Sequence, residues 1–246
     1  MKRYLLSVLI LLLFASNALS AGFPFDAPTQ QAAASFTDYC PGTGLLLCES
    51  FEKSGGTCGD GSSTNCWVTW TVTGTPNFGA AALDGGTKAI NLSNTGAVNS
   101  IETSFTASDN VYSFFKGKFS AVGTGTREIY NIHRCSMYVT PDGNIRVQDE
   151  VDWATASVSA LSIDGSTVYN FWVWWKRGAS NNAECGACFS TTTTNPGSGN
   201  QCSIHTGFTR DVQASSVKPG NGYSAGSGQV GWVIDNLKVD DATIAN

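Results

Sequence analysis

One run, residues 169–176 (YNFWVWWK), most constrains what this chain can fold into. Every other position is apolar, and two of the positions between them are tryptophans. A segment that is apolar on both faces is typical of a strand in the interior of a sheet that is covered on both sides. No long window has the 3.6-residue periodicity of an amphipathic helix, and turn signals recur along the chain. These patterns predict an all-β fold, specifically a two-sheet antiparallel jelly-roll β-sandwich.

The amino-terminal segment is expected to be a targeting signal rather than part of this fold. In residues 1–20, two basic residues precede a short apolar run that ends in small residues, as in a secretory signal peptide. Residues 21–39 are rich in Pro, Gln and Ala and are expected to be a flexible linker. The sandwich domain is therefore predicted to occupy residues 40–246, and we expect the protein to be secreted, extracellular or periplasmic.

Eight cysteines follow the predicted signal peptide. An even set of cysteines in an exported chain predicts a disulfide-stapled domain. Close spacing favours two local staples, Cys40–Cys48 and Cys58–Cys66. The pair at residues 185 and 188 (CGAC) has the spacing of a redox or zinc motif, but without a second such pair we expect it to be structural.

Charge excludes some classes of partner. The chain carries 14 basic and 19 acidic residues, and two of the basic residues lie in the predicted signal peptide. An acidic, charge-poor surface argues against binding nucleic acid or an anionic membrane, because both require basic patches. No later segment is long and apolar enough to insert as a helix in a membrane.

The closing segment, residues 228–240, alternates like a half-buried strand but carries a carboxylate among its apolar positions. The pattern predicts that Val233, Asp235, Leu237 and Val239 share one face. A buried carboxylate is costly unless it is paired, hydrogen-bonded or bound to a metal. Glu52, near the predicted first strand, is a candidate counterpart, so the two ends of the sandwich are predicted to meet around a cation.

Several segments together resemble known jelly rolls. The chain resembles the concanavalin A-like lectin/glucanase superfamily, including laminin-G-like domains, and the jelly-roll carbohydrate-binding modules. The segments that carry the resemblance are residues 49–52 (ESFE), Trp67 or Trp70, residues 82–90 (ALDGGTKAI) and residues 233–239 (VIDNLKV).

The resemblance to the carbohydrate-binding modules implies a structural calcium ion held by Glu52 and Asp235. Calcium takes about six to eight oxygen ligands, so backbone carbonyls and further acids such as Glu49 or Asp84 would complete the shell. The alternative is that Asp235 accepts backbone amides or pairs with a lysine.

In such folds exposed aromatic side chains stack on sugar rings. Trp172 and Trp174 lie on the mixed polar face of the 169–176 strand, and Trp153 follows an acidic, loop-like segment, so these three and Tyr130 are the candidate ligand contacts. The competing interpretation for any one of them is packing in the core.

Two enzymatic interpretations compete with binding. Glu150 and Asp152 resemble part of the acid cluster of laminarinase-like glycoside hydrolases, although Thr155 stands where a third acid would be. The segment of Asn131, Ile132 and His133 resembles the Q-I-H strand of jelly-roll polysaccharide lyases, with Tyr130 and Arg146 nearby. That resemblance implies an amide that neutralises a uronate and a His or Tyr that moves a proton.

The leading hypothesis is therefore a secreted carbohydrate-binding domain without catalysis, whose partner is a poly- or oligosaccharide. A polysaccharide lyase or glycoside hydrolase is the second hypothesis. A third is a structural subunit of an extracellular assembly, in which residues 21–39 would serve tethering or self-assembly.

Overall fold

A computed structural model of the chain describes Cys40 and residues 44–52, 66–83, 86, 88–93, 98–151, 156–221 and 231–242. The described residues form β-strands and no helix, so none of them builds a helix able to cross a membrane. The expected signal peptide and linker lie outside the described residues, as do Cys58, Asp152 and Trp153.

The described strands form two antiparallel sheets. In chain order the strands are β1 (Leu47–Glu49), β2 (Thr71–Thr73), β3 (Asn77–Ala80), β4 (Ala89–Asn91), β5 (Ser100–Ser108), β6 (Asn110–Ala121), β7 (Arg127–Ile132), β8 (Cys135–Val139), β9 (Ile145–Asp149), β10 (Val168–Lys176), β11 (Gly178–Ser190), β12 (Cys202–Arg210), β13 (Ala214–Pro219) and β14 (Gly231–Asp240). The eight-stranded sheet has the order β12-β11-β10-β6-β14-β4-β3, and β1 also pairs with β14; the six-stranded sheet has the order β2-β5-β13-β7-β8-β9. The sheets share one large apolar core, which confirms the predicted jelly-roll β-sandwich.

Strand β10 is the interior strand that its composition predicts. It lies between β11 and β6. Phe171, Val173 and Trp175 belong to the core between the sheets, whereas Trp172 and Trp174 belong to small clusters on the outer face of the same sheet. Both faces of the strand are therefore covered by aromatic or aliphatic neighbours.

The predicted alternation of the closing strand is confirmed for Leu237 and Val239 but is wrong for Val233 and Asp235. Trp232, Ile234, Leu237 and Val239 point into the core, so the inward series changes from even to odd positions along β14. The cause is an irregularity between Asp235 and Lys238, where Asn236 has a φ of 52°. As a result, Asp235 faces away from the core rather than into it.

Disulfides staple the described part of the sandwich. Three are described, Cys40–Cys48, Cys135–Cys185 and Cys188–Cys202, and Cys66 is also disulfide-bonded. The first confirms one predicted staple. The second joins β8 to β11 across the two sheets, and the third joins β11 to β12. Because Cys185 and Cys188 bond to different partners, the CGAC motif is structural, as predicted.

An ion pair joins the two sheets at the edge of the sandwich where β9 and β12 lie. The buried carboxylate of Asp149 at the end of β9 accepts two hydrogen bonds from the Arg210 guanidinium on β12, one of them over 3.2 Å. The Val147 amide donates to the Ser203 hydroxyl over 3.0 Å beside it. These contacts fix the position of the β8–β9 hairpin against the eight-stranded sheet.

Candidate functional site

The outer side of the six-stranded sheet carries a continuous set of polar side chains on β7, β8, β9, β13 and the residue that follows β9. Along these strands the inward positions are apolar, for example Ile132, Met137 and Val217, so the alternate positions point outward. Cross-strand pairing places Asn131 beside both Ser136 and Lys218. We call this surface the polar face; its members are Glu128, Asn131, Ser136, Tyr138, Arg146, Gln148, Glu150 and Lys218.

A hydrogen-bond network forms the floor of the polar face. The Asn131 amide nitrogen donates to the Ser136 hydroxyl and to Glu150 Oε1, each over 2.8 Å. The Ser136 hydroxyl also contacts Glu150 Oε1 and lies 3.2 Å from Glu128 Oε1. Glu128, Asn131 and Ser136 are only 1%, 5% and 0% exposed. A buried network in which the groups fix one another holds a defined arrangement.

Longer side chains form the rim above this floor. The guanidinium carbon of Arg146 lies 5.5 Å from the ring centre of Tyr138, and Lys218 Nζ lies 3.9 Å from Glu128 Oε1. Burial raises the pKa of Tyr138 to about 12, and the nearby Glu128 carboxylate adds to this shift. The phenol therefore stays protonated at neutral pH, where it can donate a hydrogen bond but is a poor base.

The structure brings three predicted site residues together on the polar face and separates two others from it. Asn131, Arg146 and Glu150 lie on the face. Tyr130 is fully buried in the core, where its hydroxyl lies 2.5 Å from that of Ser113. His133 follows β7 in the turn before β8, with a φ of 55°, and its ring lies 5.9 Å from that of Trp175. Burial and the Arg134 charge lower the pKa of His133, while Glu150 raises it.

Two of the predicted aromatic contacts, Trp172 and Trp174, lie on the outer face of the other sheet. Trp172 and Trp174 are 4% and 6% exposed. Trp172 packs 5.6 Å from the Phe114 ring, and the Trp174 indole nitrogen donates to Glu184 Oε1 over 2.5 Å. Trp174 also lies against Gly186, where a Cβ would meet the indole at 2.1 Å. In this arrangement the two indoles present little surface for stacking; Trp153 and Asp152 lie outside the described residues.

The two predicted metal ligands are held by one short loop. The Leu83 amide donates to Asp235 Oδ2 over 2.9 Å, and the Lys88 amide donates to Glu52 Oε1 over 2.7 Å. Both acids are nearly buried. Their carboxylate oxygens are the ligand type that calcium prefers. No cluster of three His, Cys, Asp or Glu suited to a metal occurs among the described residues, so a calcium ion here would require backbone carbonyls or residues such as Asp84, outside the described part.

Glu49 is not available to complete such a shell. Its carboxylate accepts hydrogen bonds from the amides of Phe51, Trp67 and Val68 and from the Trp70 indole, at 2.7 to 3.3 Å. All four donors hold the carboxylate within the protein, so Glu49 has a structural role.

Five members of the polar face were not predicted: Glu128, Ser136, Tyr138, Gln148 and Lys218. The signal for three of them was present, because the predicted hairpin of residues 136–151 places alternate polar residues on one face. Glu128 carried no such signal, and Lys218 lies in residues 217–220 (VKPG), which match the last motif of the jelly-roll lyases only loosely. A register shift in β7 between Glu128 and Tyr130 sets the direction of Glu128, and a long-range pairing brings β13 beside β7.

No protein-family model matches the sequence, and no curated protein matches it. Solved structures share its fold. One is the cellulose-induced protein Cip1, with a TM-score of 0.52 and 14% identity over 81% of this chain and 99% of that chain. Another is the PL-14 alginate lyase from Aplysia kurodai, with a TM-score of 0.51 and 6% identity over 80% and 99% of the two chains. A third is the binding domain of botulinum neurotoxin DC in complex with SialylT, with a TM-score of 0.51 and 8% identity over 81% of this chain and 48% of that one.

Proposed function

We propose that this chain is a secreted jelly-roll domain that binds a poly- or oligosaccharide on the polar face without cleaving it. The observation that carries the proposal is the connected set of polar side chains on four adjoining strands. Two proteins of the same fold are named for cellulose induction and for alginate cleavage, and a third is a toxin binding domain. These names support a saccharide as the class of ligand.

The chemistry of the polar face suits a sugar without charge. Saccharide hydroxyls donate and accept hydrogen bonds, and the rim offers both kinds of partner in Arg146, Gln148 and Glu150. The Tyr138 ring adds the only aromatic surface among the described members of the face. Carboxylates alternate with cations here, so the face lacks the uniform positive charge that would favour a polyanion. We therefore infer a neutral glycan as its ligand.

We infer the absence of cleavage from two residues that could transfer a proton, namely from the protonation of Tyr138 and the position of His133. Elimination from a uronate needs a base that removes a carbon-bound proton. Tyr138 is held in its protonated form, and the ring of His133 packs 5.9 Å from that of Trp175, in a half-buried position where burial lowers its pKa although Glu150 raises it. Neither arrangement supports a base on this surface.

One observation favours a glycoside hydrolase as the second candidate. Glu128 and Glu150 both contact the Ser136 hydroxyl, so the two carboxylates lie close together, as in hydrolysis by paired acids. Against this, Glu128 is 1% exposed, which leaves little room for a substrate to reach it.

Affinity electrophoresis tests the binding proposal. The purified protein should be retarded in gels that contain a neutral β-glucan, and Arg146→Gln and Tyr138→Ala should each weaken the retardation roughly tenfold, because each removes a rim contact worth about 1.4 kcal/mol. Arg177→Gln is the matched control, since Arg177 pairs with Asp109 and Asp211 instead of lining the face.

The same samples test catalysis. Reducing ends and the ultraviolet absorbance of unsaturated products should stay at the level of the buffer with neutral and uronate polysaccharides. Products that disappear in Glu150→Gln would establish a hydrolase or lyase in place of a binding domain. Equal retardation of the wild type, Arg146→Gln and Arg177→Gln would move binding away from the polar face.

Two further features are proposed with this function. The disulfides and the expected signal peptide support an oxidising location outside the cytoplasm, which we propose to be extracellular or periplasmic. Glu52 and Asp235 are proposed to hold a structural calcium ion, whose part would be to fix the loop between them.

A further inference from the structure

A cavity of about 430 Å³ lies on the outer face of the eight-stranded sheet, on the opposite side of the sandwich from the polar face. Strands β3, β4, β6 and β14 and the residues that follow β3 form its walls. Asn77, Asn91, Lys118 and Ser120 supply its polar groups, and residues 80–83 and Val233 supply the apolar part. Val233 reaches this cavity because its neighbours Trp232 and Ile234 point into the core, which leaves Val233 on the outer face.

The two amides of the cavity have their oxygens already engaged. Asn77 Oδ1 accepts the Gly79 amide over 2.8 Å, and Asn91 Oδ1 accepts the Ser93 amide over 2.8 Å. Each side chain therefore has its NH₂ group left for a ligand. Because an amide nitrogen only donates, both residues offer donors and not acceptors.

Lys118 supplies the only charge among the described lining residues. It forms no ion pair with any described acid. Asp235 lies on the same face two residues after Val233, but it is 1% exposed and bonds to the Leu83 amide instead of lining the cavity. The described lining of the cavity thus combines one ammonium, two NH₂ groups and a hydroxyl, and none of these described residues is a carboxylate.

We propose that this cavity is a second ligand site, which binds the anionic group of an acidic saccharide. A carboxylate or a sulfate ester accepts the hydrogen bonds that Asn77, Asn91 and Lys118 offer, and the charge of Lys118 selects an anion. The alanines and Val233 match the C–H groups of the attached sugar ring. The volume lies within the range of about 300 to 1,000 Å³ typical of small-molecule sites.

The second site does not depend on the polar face, and the two sites select ligands of different charge. The polar face is proposed to bind a neutral glycan, and the cavity is proposed to bind an anionic group. The polar face mixes carboxylates with cations, whereas the described lining of the cavity carries one cation, Lys118. One molecule would accordingly engage a neutral glycan on one sheet and an acidic sugar on the other.

NMR titration tests the second site directly. The probes are methyl glucuronide, glucose 6-sulfate, methyl glucoside and inorganic sulfate, added to ¹⁵N-labelled protein. Both acidic sugars should shift the side-chain NH₂ resonances of Asn77 and Asn91, and the neutral methyl glucoside should not. If only the glucuronide or only the sulfate ester acts, that probe identifies the anionic group; if inorganic sulfate binds as tightly as both acidic sugars, the saccharide assignment is overturned.

Two variants and two controls separate the site from a general charge effect. Lys118→Gln should weaken binding of the acidic sugars by about tenfold or more. Ala81→Trp should block the cavity while Lys118 remains. Lys116→Gln removes the same charge from the same face of β6, outside the lining, and should weaken binding clearly less than Lys118→Gln, because Lys116 does not contact the ligand. Arg146→Gln should leave these titrations unchanged, so failure here is distinguishable from failure of the polar-face proposal.

Equal loss of affinity in Lys118→Gln and Lys116→Gln would overturn the proposal, because binding would then follow net charge alone. Shifts that methyl glucoside reproduces would overturn it as well. Unchanged melting temperatures of Lys118→Gln and Ala81→Trp keep loss of binding separate from loss of folding.

Discussion

Glu49 ties the first strand to the segment of residues 67–70 through three N–H donors and accepts a fourth hydrogen bond from the Phe51 amide, in a site that water does not reach. Two effects on its pKa oppose one another. Burial raises the pKa to about 7, whereas the donors lower it. In the unfolded chain an ordinary glutamate titrates at about 4.3. The folded state therefore binds the proton more tightly than the unfolded state between these two values.

This shift predicts that the free energy of unfolding falls as pH rises from about 4.3 to about 7, by up to about 4 kcal/mol. The contribution is fully present below the unfolded pKa and is lost above the folded one. Urea unfolding at closely spaced pH values measures it. Glu49→Gln has no group to titrate there and should show a flatter profile; parallel profiles for the two proteins would contradict the assignment.

Strand β14 shows at the scale of an element why sequence alternation can mislead. The apolar pattern indicates a strand correctly, and β14 pairs with β1, β4 and β6 as a central strand. The pattern cannot show the irregularity at Asn236, because one backbone change reverses the phase without interrupting the apolar residues. Asparagine tolerates a positive φ better than most residues, which is the only local sign of the change.

The positive φ of Asn236 makes a prediction at this scale. Asn236→Gly and Asn236→Val both remove the side-chain amide, but only valine is strained in the left-handed region. We expect the valine variant to be less stable than the glycine variant by about 1 to 2 kcal/mol. Equilibrium unfolding of both compares them directly, and equal stabilities would show that β14 can straighten at this position.

The polar face shows a related limit of sequence analysis, because the sequence pattern does not reveal which strands pair with one another. Asn131, Arg146 and Glu150 were found from local motifs, since each lies in or beside a recognisable strand or hairpin. Lys218 was missed because β13 joins the sheet between β5 and β7, far from either neighbour in sequence. Period-2 patterns specify which residues share a face of one strand; they do not specify which strands adjoin.

At the scale of the molecule, the first and last described strands meet in one sheet, and an acid beside or within each accepts a hydrogen bond from a backbone amide. Strand β1 pairs with β14 over Leu47–Glu49, and the loop amides of Leu83 and Lys88 bond to Asp235 and Glu52. The sequence predicted this meeting of chain ends, because both acids stood out against apolar surroundings. A cation at this point would join three separate stretches of chain in the folded state only.

Calcium binding there predicts a melting temperature that depends on the metal. A ligand present at about 100 times its dissociation constant stabilises the folded state by about 2.7 kcal/mol, which corresponds to roughly 5 to 10 °C for a domain of this size. Excess EDTA should lower the melting temperature by that amount, and restored calcium should reverse the change.

Glu52→Gln and Asp235→Asn should each abolish the dependence of the melting temperature on calcium. Glu49→Gln should retain it, because the Glu49 carboxylate is occupied by four N–H donors. A melting temperature that EDTA leaves unchanged in the wild type would mean that contacts within the protein, among them the two amide hydrogen bonds, hold the acids without a metal.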